Sequence, residues 1–513
     1  MIRKFLQLTV ILNGRQGLGW FLVLWVCFFF SFQYNKVLFQ EPFGMHQGAQ
    51  TDRASIAYSF YKKDPNILEP RVMETRISDG VCGTEFPLLT YSASLFYRVF
   101  GYHIFWFRFL VYLLFSLGAL AAWRFSALYI QKVLWRIVNM VLWVCMPILT
   151  FYASTTVPDA AGIGLLLIAW YYFFQYYYHE KKLYLLYCML AFTAVGLIKP
   201  TLLLGLGVIW GLIIVQSLKW EDFRINKWPV LGWSIIPIGV SAAWIAYSKN
   251  LSLKMGNHHF LQGIKLPDTS AEFFENIRYG FSVWDESMYG AWGTYVLLIG
   301  LLLPLLKKGQ SSELQLIRYI ALIYAAVCML IFGLFNVQFR YHDYYYIIFT
   351  PYILFASLYL IAQYIQTRTE IISGTRLLVY FGTLYMALFS FRNTLNLQDR
   401  RLTPGDYYFQ DVHPGMTELI RIAPQIEALI PEDKEVIVAL DVTPCAMLYA
   451  IKRYGMRWPD WEGDFVAESL NSGKYSYILV NDVKAFVQKS MPLAEKPPKL
   501  LFQEGIWYLY QIH

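Results

Sequence analysis

Carboxylates and cations recur at the ends of apolar segments in this chain. Asp52, Glu85 and Asp159 supply the carboxylates, and Lys199 and Arg340 supply the cations. A carboxylate can take a proton from an attacking hydroxyl or amine. Lysine and arginine can hold a phosphate. Together these groups suit the transfer of a chemical group from a phosphate-linked donor to an acceptor.

Each carboxylate also has a purely structural interpretation. Asp52, or Thr51 before it, could be the N-cap of a helix that follows. Glu85 could stabilise the start of the next apolar helix through the helix dipole. Asp159 could cap its helix in the same way. No single motif decides between the structural and the catalytic interpretation. The recurrence of the pattern favours the catalytic one.

The cations stand beside aromatic residues. Lys199 precedes a proline at a turn between two apolar segments, and Arg340 begins a strip that contains His342, Asp343 and Tyr345. Cations and aromatics also gather at membrane boundaries as anchors, so this pattern alone is ambiguous. The His-Asp pair could bind a metal, but two ligands from one strip are a weak signal.

The composition indicates which elements hold these residues. The chain has 513 residues, of which 57% are hydrophobic and only 15% charged; soluble domains have about 25% charged residues. Apolar runs such as Gly17–Tyr34 and Ala321–Phe335 approach the roughly 20 residues that cross a bilayer. Backbone groups in lipid must satisfy one another, so these runs should be helices. We therefore predict a polytopic α-helical membrane protein.

The apolar runs predict about eleven transmembrane helices within a membrane domain over 1–394. Its first loop is long, covering about 36–103. A small α/β domain over 395–513 follows, with strands near 435–440, 475–480 and 506–511 and a short helix near 445–454 that Gly455 ends. The predicted helices cover 17–35, 104–124, 135–153, 159–178, 183–199, 200–218, 229–247, 292–307, 317–335, 344–365 and 375–392.

The net charge of +8 lies mainly in short loops between the apolar runs. Every second loop is basic, which is typical of cytoplasmic loops and argues against nucleic acid as a partner. This alternation predicts a multi-pass protein of the cell inner (plasma) membrane with a cytoplasmic N-terminus. The first loop, the segment near 250–292 and the C-terminal domain are then extracytoplasmic, and the candidate residues share that side.

The order of these motifs resembles the membrane glycosyltransferases of the GT-C fold. The closest groups are the protein O-mannosyltransferases and the bacterial transferases that attach aminoarabinose or other sugars to lipid A and surface glycans. The resemblance covers about residues 1–365. It rests on Asp52 after the first helix, Glu85-Phe-Pro-Leu, Phe100-Gly with Arg108, Val-Pro158-Asp159, Lys199-Pro200 and the strip from Arg340 to Tyr345 before Pro351.

The resemblance implies an inverting transfer of a monosaccharide from a polyprenyl-phosphate donor. The acceptor could be lipid A, another glycolipid, a glycan or a protein. Asp52 matches the family's catalytic base, Asp159 its second acidic position and Glu85 an acidic position of the first loop, which would carry short helices along the membrane surface. The implied partners of the lipid phosphate are Lys199 and Arg340, with His342 and Tyr345 beside them.

One position departs from the family pattern. Many relatives have two adjacent acidic residues where this chain has Asp52 followed by Arg53, which suggests a phosphate contact for Arg53 and weakens a metal role. No cofactor is required, and the sequence leaves a divalent metal open without indicating one. Neither the sugar nor the acceptor can be read from the residues.

Two other classes of function compete with the transferase. A glycan ligase would use a diphosphate-linked donor, but such proteins usually carry their large loop late in the chain. A transporter or flippase would place polar residues or broken helices near the bilayer midplane. Here the ionisable groups cluster at one face, which favours chemistry at the membrane surface. A structural or sensory membrane protein would leave that clustering unexplained.

Overall fold

The chain is mostly helical in a computed structural model. The model describes residues 2–218, 225–258, 260, 266–283, 288–300, 311–366, 374–402, 415–439, 441, 443, 445–458 and 464–512. The α-helices of the first 402 residues are Ile2–Ser31, Tyr34–Val37, Gln47–Lys62, Leu88–Phe100, Phe105–Ser126, Val133–Val144, Pro147–Tyr152, Asp159–His179, Lys182–Ile198, Leu204–Ser217, Lys227–Met255, Ser270–Val283, Gly290–Gly300, Ser312–Leu334, Asn336–Tyr341, Thr350–Leu360 and Gly374–Leu402.

All eleven predicted helices coincide with helical structure, and the predicted fold class is confirmed. The helix predicted over 135–153 is divided at Pro147, because proline has no amide hydrogen to continue the helix. Segments of 3₁₀-helix, Pro200–Leu203 and Asp343–Phe349, begin two others. The end of the helix predicted over 292–307 lies outside the described residues, and the last helix continues past residue 394, where we place the domain boundary.

Among the described residues, five helical segments are long and apolar enough to cross a membrane, which makes this a multi-pass membrane protein. Shorter apolar helices, Gly17–Ser31, Val133–Val144 and Lys182–Ile198, accompany them. The full count of eleven crossings stays a prediction. The five segments are Phe105–Ser126, Pro200–Ser217, Lys227–Met255, Ser312–Leu334 and Asp343–Gln363.

Two glycines allow the helices Phe105–Ser126 and Asp159–His179 to pack backbone against backbone. A Cβ atom added to Gly118 would lie 2.3 Å from the Cα of Gly164, and one added to Gly164 would lie 2.2 Å from the carbonyl oxygen of Leu114. Small residues permit such contact between membrane helices. This packing fixes the N-terminal end of the second helix, which carries Asp159.

The first loop folds into helices, as the resemblance implied. Its helix Gln47–Lys62, called here the loop helix, begins after His46, which has a left-handed backbone conformation and makes no side-chain cap. Asp52 therefore lies inside the helix, in its second turn, and the interpretation of Asp52 or Thr51 as the N-cap is wrong. Most residues of this helix are buried, because other parts of the protein pack on both of its sides.

The helix Lys227–Met255 holds the chain segment that directly precedes Glu85. The amide of Gly83 donates to the hydroxyl of Ser252, and Trp244 and Ser248 donate to the carbonyl oxygen of Thr84. A Cβ atom at Gly83 would lie 2.0 Å from the carbonyl oxygen of Ser248. Only glycine fits this contact, so the loop and the membrane helix meet at one defined point.

The described residues of the C-terminal domain contain five strands: β1 Glu435–Ala439, β2 Gly455–Trp458, β3 Tyr475–Val480, β4 Lys499–Glu504 and β5 Trp507–Gln511. They form one sheet in the order β2-β1-β3-β5-β4. β1 pairs in parallel with β2 and β3, and β5 pairs antiparallel with β3 and β4. The predicted α/β class and strands β1, β3 and β5 are confirmed. Gly455, predicted to end a helix, instead begins β2, and β4 was not predicted. The helices of this domain include Met416–Leu429, Ala446–Ala450 and Asp464–Asn471.

The first loop extends the edge of this sheet. Glu74 forms a parallel bridge with Gly455 at the start of β2. Thr75 donates its amide to the carbonyl oxygen of Gly455 at 2.6 Å, and the amide of Gly455 donates to Met73 at 3.1 Å. The helix Ala446–Ala450 packs on the loop helix. The C-terminal domain therefore covers the part of the first loop that carries Asp52.

Gly118→Ala should lower the melting temperature of the detergent-solubilised protein, because the added methyl must separate two backbones. Overpacking of this kind costs about 1–3 kcal/mol. The control is Gly207→Ala, where an added Cβ has no atom within 4 Å. Thermal unfolding followed by tryptophan fluorescence gives the comparison, and equal melting temperatures for the two variants would refute the close contact.

Candidate functional site

Two ion pairs form the centre of the candidate site. Nε of Arg53 lies 2.9 Å from Oε1 of Glu85, and Nζ of Lys199 lies 2.9 Å from Oδ1 of Asp159. Asp159 is completely buried, and Lys199 nearly so. In each pair, the attraction between the two charges offsets the free-energy cost of removing the carboxylate from water.

The loop helix brings Asp52 to the same place. Burial alone would lower the pKa of Arg53, but Glu85, Tyr344, Asp52 and Asp159 act in the opposite sense, and the pKa ends above its ordinary value. Asp52 and Asp159 are therefore close enough to interact with one guanidinium. The structure brings together the three carboxylates that the sequence singled out.

Neither remaining carboxylate is an N-cap. The helix after Glu85 begins only at Leu88, and Glu85 instead pairs with Arg53. Asp159 is the first residue of its helix and makes no side-chain cap, although it stands where the helix dipole favours a negative charge. The capping interpretation of Asp159 is wrong, and its main partner is Lys199.

Aromatic rings surround the ammonium group of Lys199. Its Nζ lies 4.7 Å from the ring centres of both Tyr344 and Tyr345, which is within the range of a cation–π contact. The ring of His342 stacks on that of Tyr344 with centres 5.2 Å apart. Tyr345 and His342 therefore lie beside Lys199, and their role as ligands of a phosphate stays a prediction.

His342 is a neutral member of this group. Burial, followed by the charges of His46, Lys199 and Arg53, lowers the pKa of His342 to about 4. Its Nδ1 is buried and has no hydrogen-bond partner in the part of the chain that the structure describes. A neutral imidazole can donate or accept one hydrogen bond at each nitrogen, so His342 can orient a polar ligand without repelling the neighbouring cations.

Asp343 connects this group to three distant segments of the chain. One carboxylate oxygen lies 3.1 Å from Nε2 of His46 and accepts from the hydroxyl of Tyr152; the other lies 3.0 Å from Nη1 of Arg401. Asp343 is fully buried. His46, Tyr152 and Arg401 were not predicted, because no motif marks them and they meet only in the fold.

Arg340 belongs to a different group of residues. It lies 2.9 Å from Glu275 and donates to the side-chain oxygen of Asn276 at 3.1 Å, with the ring of Tyr279 beside it. Glu275, Asn276 and Tyr279 lie on the helix Ser270–Val283. The role of Arg340 as a phosphate ligand stays a prediction.

A pocket opens beside the ion pair of Arg53 and Glu85. Its cavity volume is about 20 Å³. Its wall combines that pair with apolar residues and with Thr156, which donates to the backbone of the loop helix at Gln50. The full lining is Arg53, Ile56, Thr84, Glu85, Phe86, Pro87, Leu89, Thr90, Phe107, Thr156, Pro158 and Ile198.

The described residues were also compared with the requirements of a metal centre. Within the ranges given above, no group of three or more histidine, cysteine, aspartate or glutamate side chains is arranged to hold an ion.

Glu85 should stabilise the fold only above acidic pH. Burial raises the pKa of Glu85, but Arg53 and Lys199 outweigh it and hold the pKa below its ordinary value. The contribution of Glu85 to the free energy of unfolding is therefore complete well above the pKa of about 4.3 that it has in the unfolded chain. This contribution is lost as the pH falls through the pKa of Glu85 in the folded protein. Glu85→Gln should lower the melting temperature at pH 7, and the difference from wild type should shrink below about pH 4.

The control for this pH series is Glu432→Gln. Glu432 pairs with Lys62 at 3.4 Å on the surface, and exposed pairs contribute little. Its melting temperature should follow that of the wild type at every pH. A constant difference between wild type and Glu85→Gln from pH 7 to pH 3.5 would contradict the assignment.

Arg401→Met should destabilise the protein strongly, because Asp343 loses a buried partner. Removing one member of a buried pair costs about 3–5 kcal/mol. Arg400→Met is the matched control, since Arg400 is adjacent and exposed. Adding Asp343→Asn to Arg401→Met should recover part of the loss in chemical unfolding, and the absence of any recovery would exclude this pair as the cause.

The chain was compared with known proteins at three levels. No protein-family model matches it, and no curated protein matches it in sequence. Solved structures do match. ArnT from Cupriavidus metallidurans in its apo state superposes with a TM-score of 0.64 at 12% sequence identity, covering 96% of this chain and 98% of that one. The same protein bound to undecaprenyl phosphate gives 0.61 with the same coverage.

Two further matches have other activities. The mycobacterial arabinofuranosyltransferase AftD gives a TM-score of 0.53 at 12% identity and covers 96% of this chain and 40% of its own. The Archaeoglobus fulgidus oligosaccharyltransferase in its apo form gives 0.50 at 12% identity and covers 94% and 73%. At such identity the likeness establishes the architecture. The GT-C fold that the sequence motifs implied is thereby confirmed for this chain.

Proposed function

We propose that this protein is a membrane glycosyltransferase that moves a monosaccharide from a polyprenyl-phosphate donor to an acceptor on the extracytoplasmic face. The supporting observation is the buried group in which Asp52 accompanies the pairs Arg53–Glu85 and Lys199–Asp159. Its fold is shared with ArnT, which binds undecaprenyl phosphate. The N-terminus would be cytoplasmic and the C-terminal domain extracytoplasmic, in the inner (plasma) membrane.

The reaction assigned to this group is a single displacement. The acceptor oxygen or nitrogen attacks the anomeric carbon of the sugar while the bond from that carbon to the phosphate oxygen breaks. The electrons of that bond leave with the polyprenyl phosphate, and the acceptor proton passes to the carboxylate of Asp52. The configuration at the anomeric carbon inverts, because attack and departure occur on opposite faces.

Asp52 suits the role of base through its position. It lies on a rigid helix that is buried between the membrane domain and the C-terminal domain. Glu85 and Asp159 each have a cation within 2.9 Å and thus act by keeping Arg53 and Lys199 in place. Charged groups that are held in place before the reaction can stabilise the charge that develops in the transition state.

The cations can receive the leaving phosphate. Arg53 donates through Nε to Glu85 and through Nη1 to the carbonyl oxygen of Ala49. A guanidinium has five N–H groups, so donors remain for an anion. Lys199 adds a second charge, held against Tyr344 and Tyr345. His342 can orient a phosphate or sugar oxygen through its buried Nδ1.

Asp52→Asn should reduce transfer at least 100-fold, within the range expected for loss of a general base. The assay uses purified protein, a panel of radiolabelled polyprenyl-phosphate sugars and acceptors extracted from the cell envelope. Donor binding should be retained, since the amide keeps the shape of the carboxylate. The labelled product would identify lipid A, another glycolipid, a glycan or a protein as the acceptor.

The control is Asp79→Asn, an exposed aspartate of the same loop that pairs with Lys63 and Arg71. It should transfer sugar at nearly the wild-type rate. Transfer by folded Asp52→Asn at the wild-type rate would remove Asp52 as the base. A wild-type protein that consumes none of the donors would refute the proposed function.

A further inference from the structure

A second pocket lies between the first loop and the C-terminal domain. Its cavity volume is about 180 Å³. The first loop contributes four residues and the C-terminal domain contributes the rest, from the helix Met416–Leu429 and the segment at 446–452. The full lining is Glu41, Pro42, Gln47, Thr51, Met416, Ile420, Ala423, Pro424, Glu427, Ala446, Tyr449, Ala450 and Lys452.

Two buried side-chain oxygens of the lining, Oε2 of Glu41 and Oε1 of Gln47, have no hydrogen-bond partner among the described residues. Gln47 is 1% exposed, and its side-chain amide donates to the carbonyl oxygen of Pro42 at 3.0 Å. A buried acceptor that is left unpaired destabilises the fold. A ligand hydroxyl in the pocket would satisfy it.

The opposite side of the pocket presents charge and an aromatic ring. Nζ of Lys452 lies 3.3 Å from Oε1 of Glu41 and 3.6 Å from the ring centre of Tyr449. The hydroxyl groups of Tyr449 and Tyr102 are hydrogen bonded at 2.6 Å. Ile420, with the alanines of the lining, supplies apolar surface. The pocket thus offers hydrogen-bonding groups and apolar walls together, which suits a ring that has hydroxyl edges and apolar faces.

The loop helix separates this pocket from the one beside Arg53. Gln47 and Thr51 are four residues apart and share the face toward the second pocket, whereas Arg53 and Ile56 line the first. Successive residues of a helix are about 100° apart. Asp52 therefore projects from the helix in a direction between these two faces, and it lines neither pocket itself.

We propose that the second pocket binds a sugar ring of the acceptor. This inference rests on the proposed function: the donor phosphate would occupy the Arg53 side of the loop helix, the acceptor sugar the Gln47 side, with Asp52 between them. The pocket is lined by the first loop and the C-terminal domain and not by the membrane-spanning helices, so it suits a sugar rather than an acyl chain. The sugar could come from a glycolipid headgroup or from a growing glycan.

Substitutions that fill the pocket test the proposal and leave Asp52 and the ion pairs Arg53–Glu85 and Lys199–Asp159 unchanged. Ala423→Phe and Ala450→Phe place a ring in the pocket from two different helices. Ala428→Phe, an exposed residue of the same helix as Ala423, is the matched control. Each protein is assayed for donor binding with radiolabelled polyprenyl-phosphate sugar. Each is also assayed for transfer to glycolipid, glycan and protein fractions of the envelope.

Ala423→Phe and Ala450→Phe should each reduce transfer at low acceptor concentration at least tenfold while donor binding stays unchanged. Raising the acceptor concentration should recover part of the rate, and Ala428→Phe should match the wild type. The fraction that carries label separates a glycolipid from a glycan. Unchanged transfer, an equal loss of donor binding, or label in the protein fraction would overturn the proposal.

A second measurement keeps the proposal testable if the filled variants misfold or if no donor is consumed. Methyl glycosides of neutral, amino and acidic sugars are added to the wild-type protein and to Gln47→Met, and their contacts are observed by saturation-transfer NMR. At least one glycoside should bind the wild type, and Gln47→Met should weaken it. Binding without transfer would reject the function but retain the pocket, and no binding by any glycoside would reject the pocket.

Discussion

The burial of charge is the constraint on which the rest of this structure depends. A charge removed from water must be paired or must pay a large desolvation cost. Glu85 and Asp159 meet this requirement with Arg53 and Lys199, and Asp343 meets it with Arg401 and His46. The partners of each pair come from different parts of the chain, so the pairs also tie those parts together. A site with this much charge could not be assembled on one loop.

The first loop is held from two sides. The helix Lys227–Met255 fixes it next to Glu85, where the carbonyl oxygen of Thr84 accepts two hydrogen bonds and Gly83 permits a close backbone contact. The sheet of the C-terminal domain fixes it at Glu74, which bridges to β2. The loop helix lies between these attachments. Its rigidity is therefore a property of the whole fold and does not come from its own sequence.

Much of the architecture could be predicted from residue patterns, because long apolar runs identify membrane helices in a sequence. The carboxylates Asp52, Glu85 and Asp159 could be found because each stands next to such a run. The partners His46 and Arg401 could not, since their significance arises from contacts with Asp343 across long stretches of chain. The capping interpretation of Asp52 failed for a related reason: tertiary burial extended the loop helix five residues ahead of it, beyond the local signal. Strand β4 lies at the sheet edge and is partly exposed, so it lacked a buried pattern.

The bridge between the first loop and β2 has a consequence for biogenesis. Thr75 and Gly455 are hydrogen bonded although they are 380 residues apart. During synthesis the loop helix would reach its side of the membrane long before the strand that covers it. Contacts of such sequence separation form late and slowly. Completion of the candidate site thus waits for the last quarter of the chain, and a polypeptide interrupted before that point would have the membrane helices without the domain that covers the loop helix.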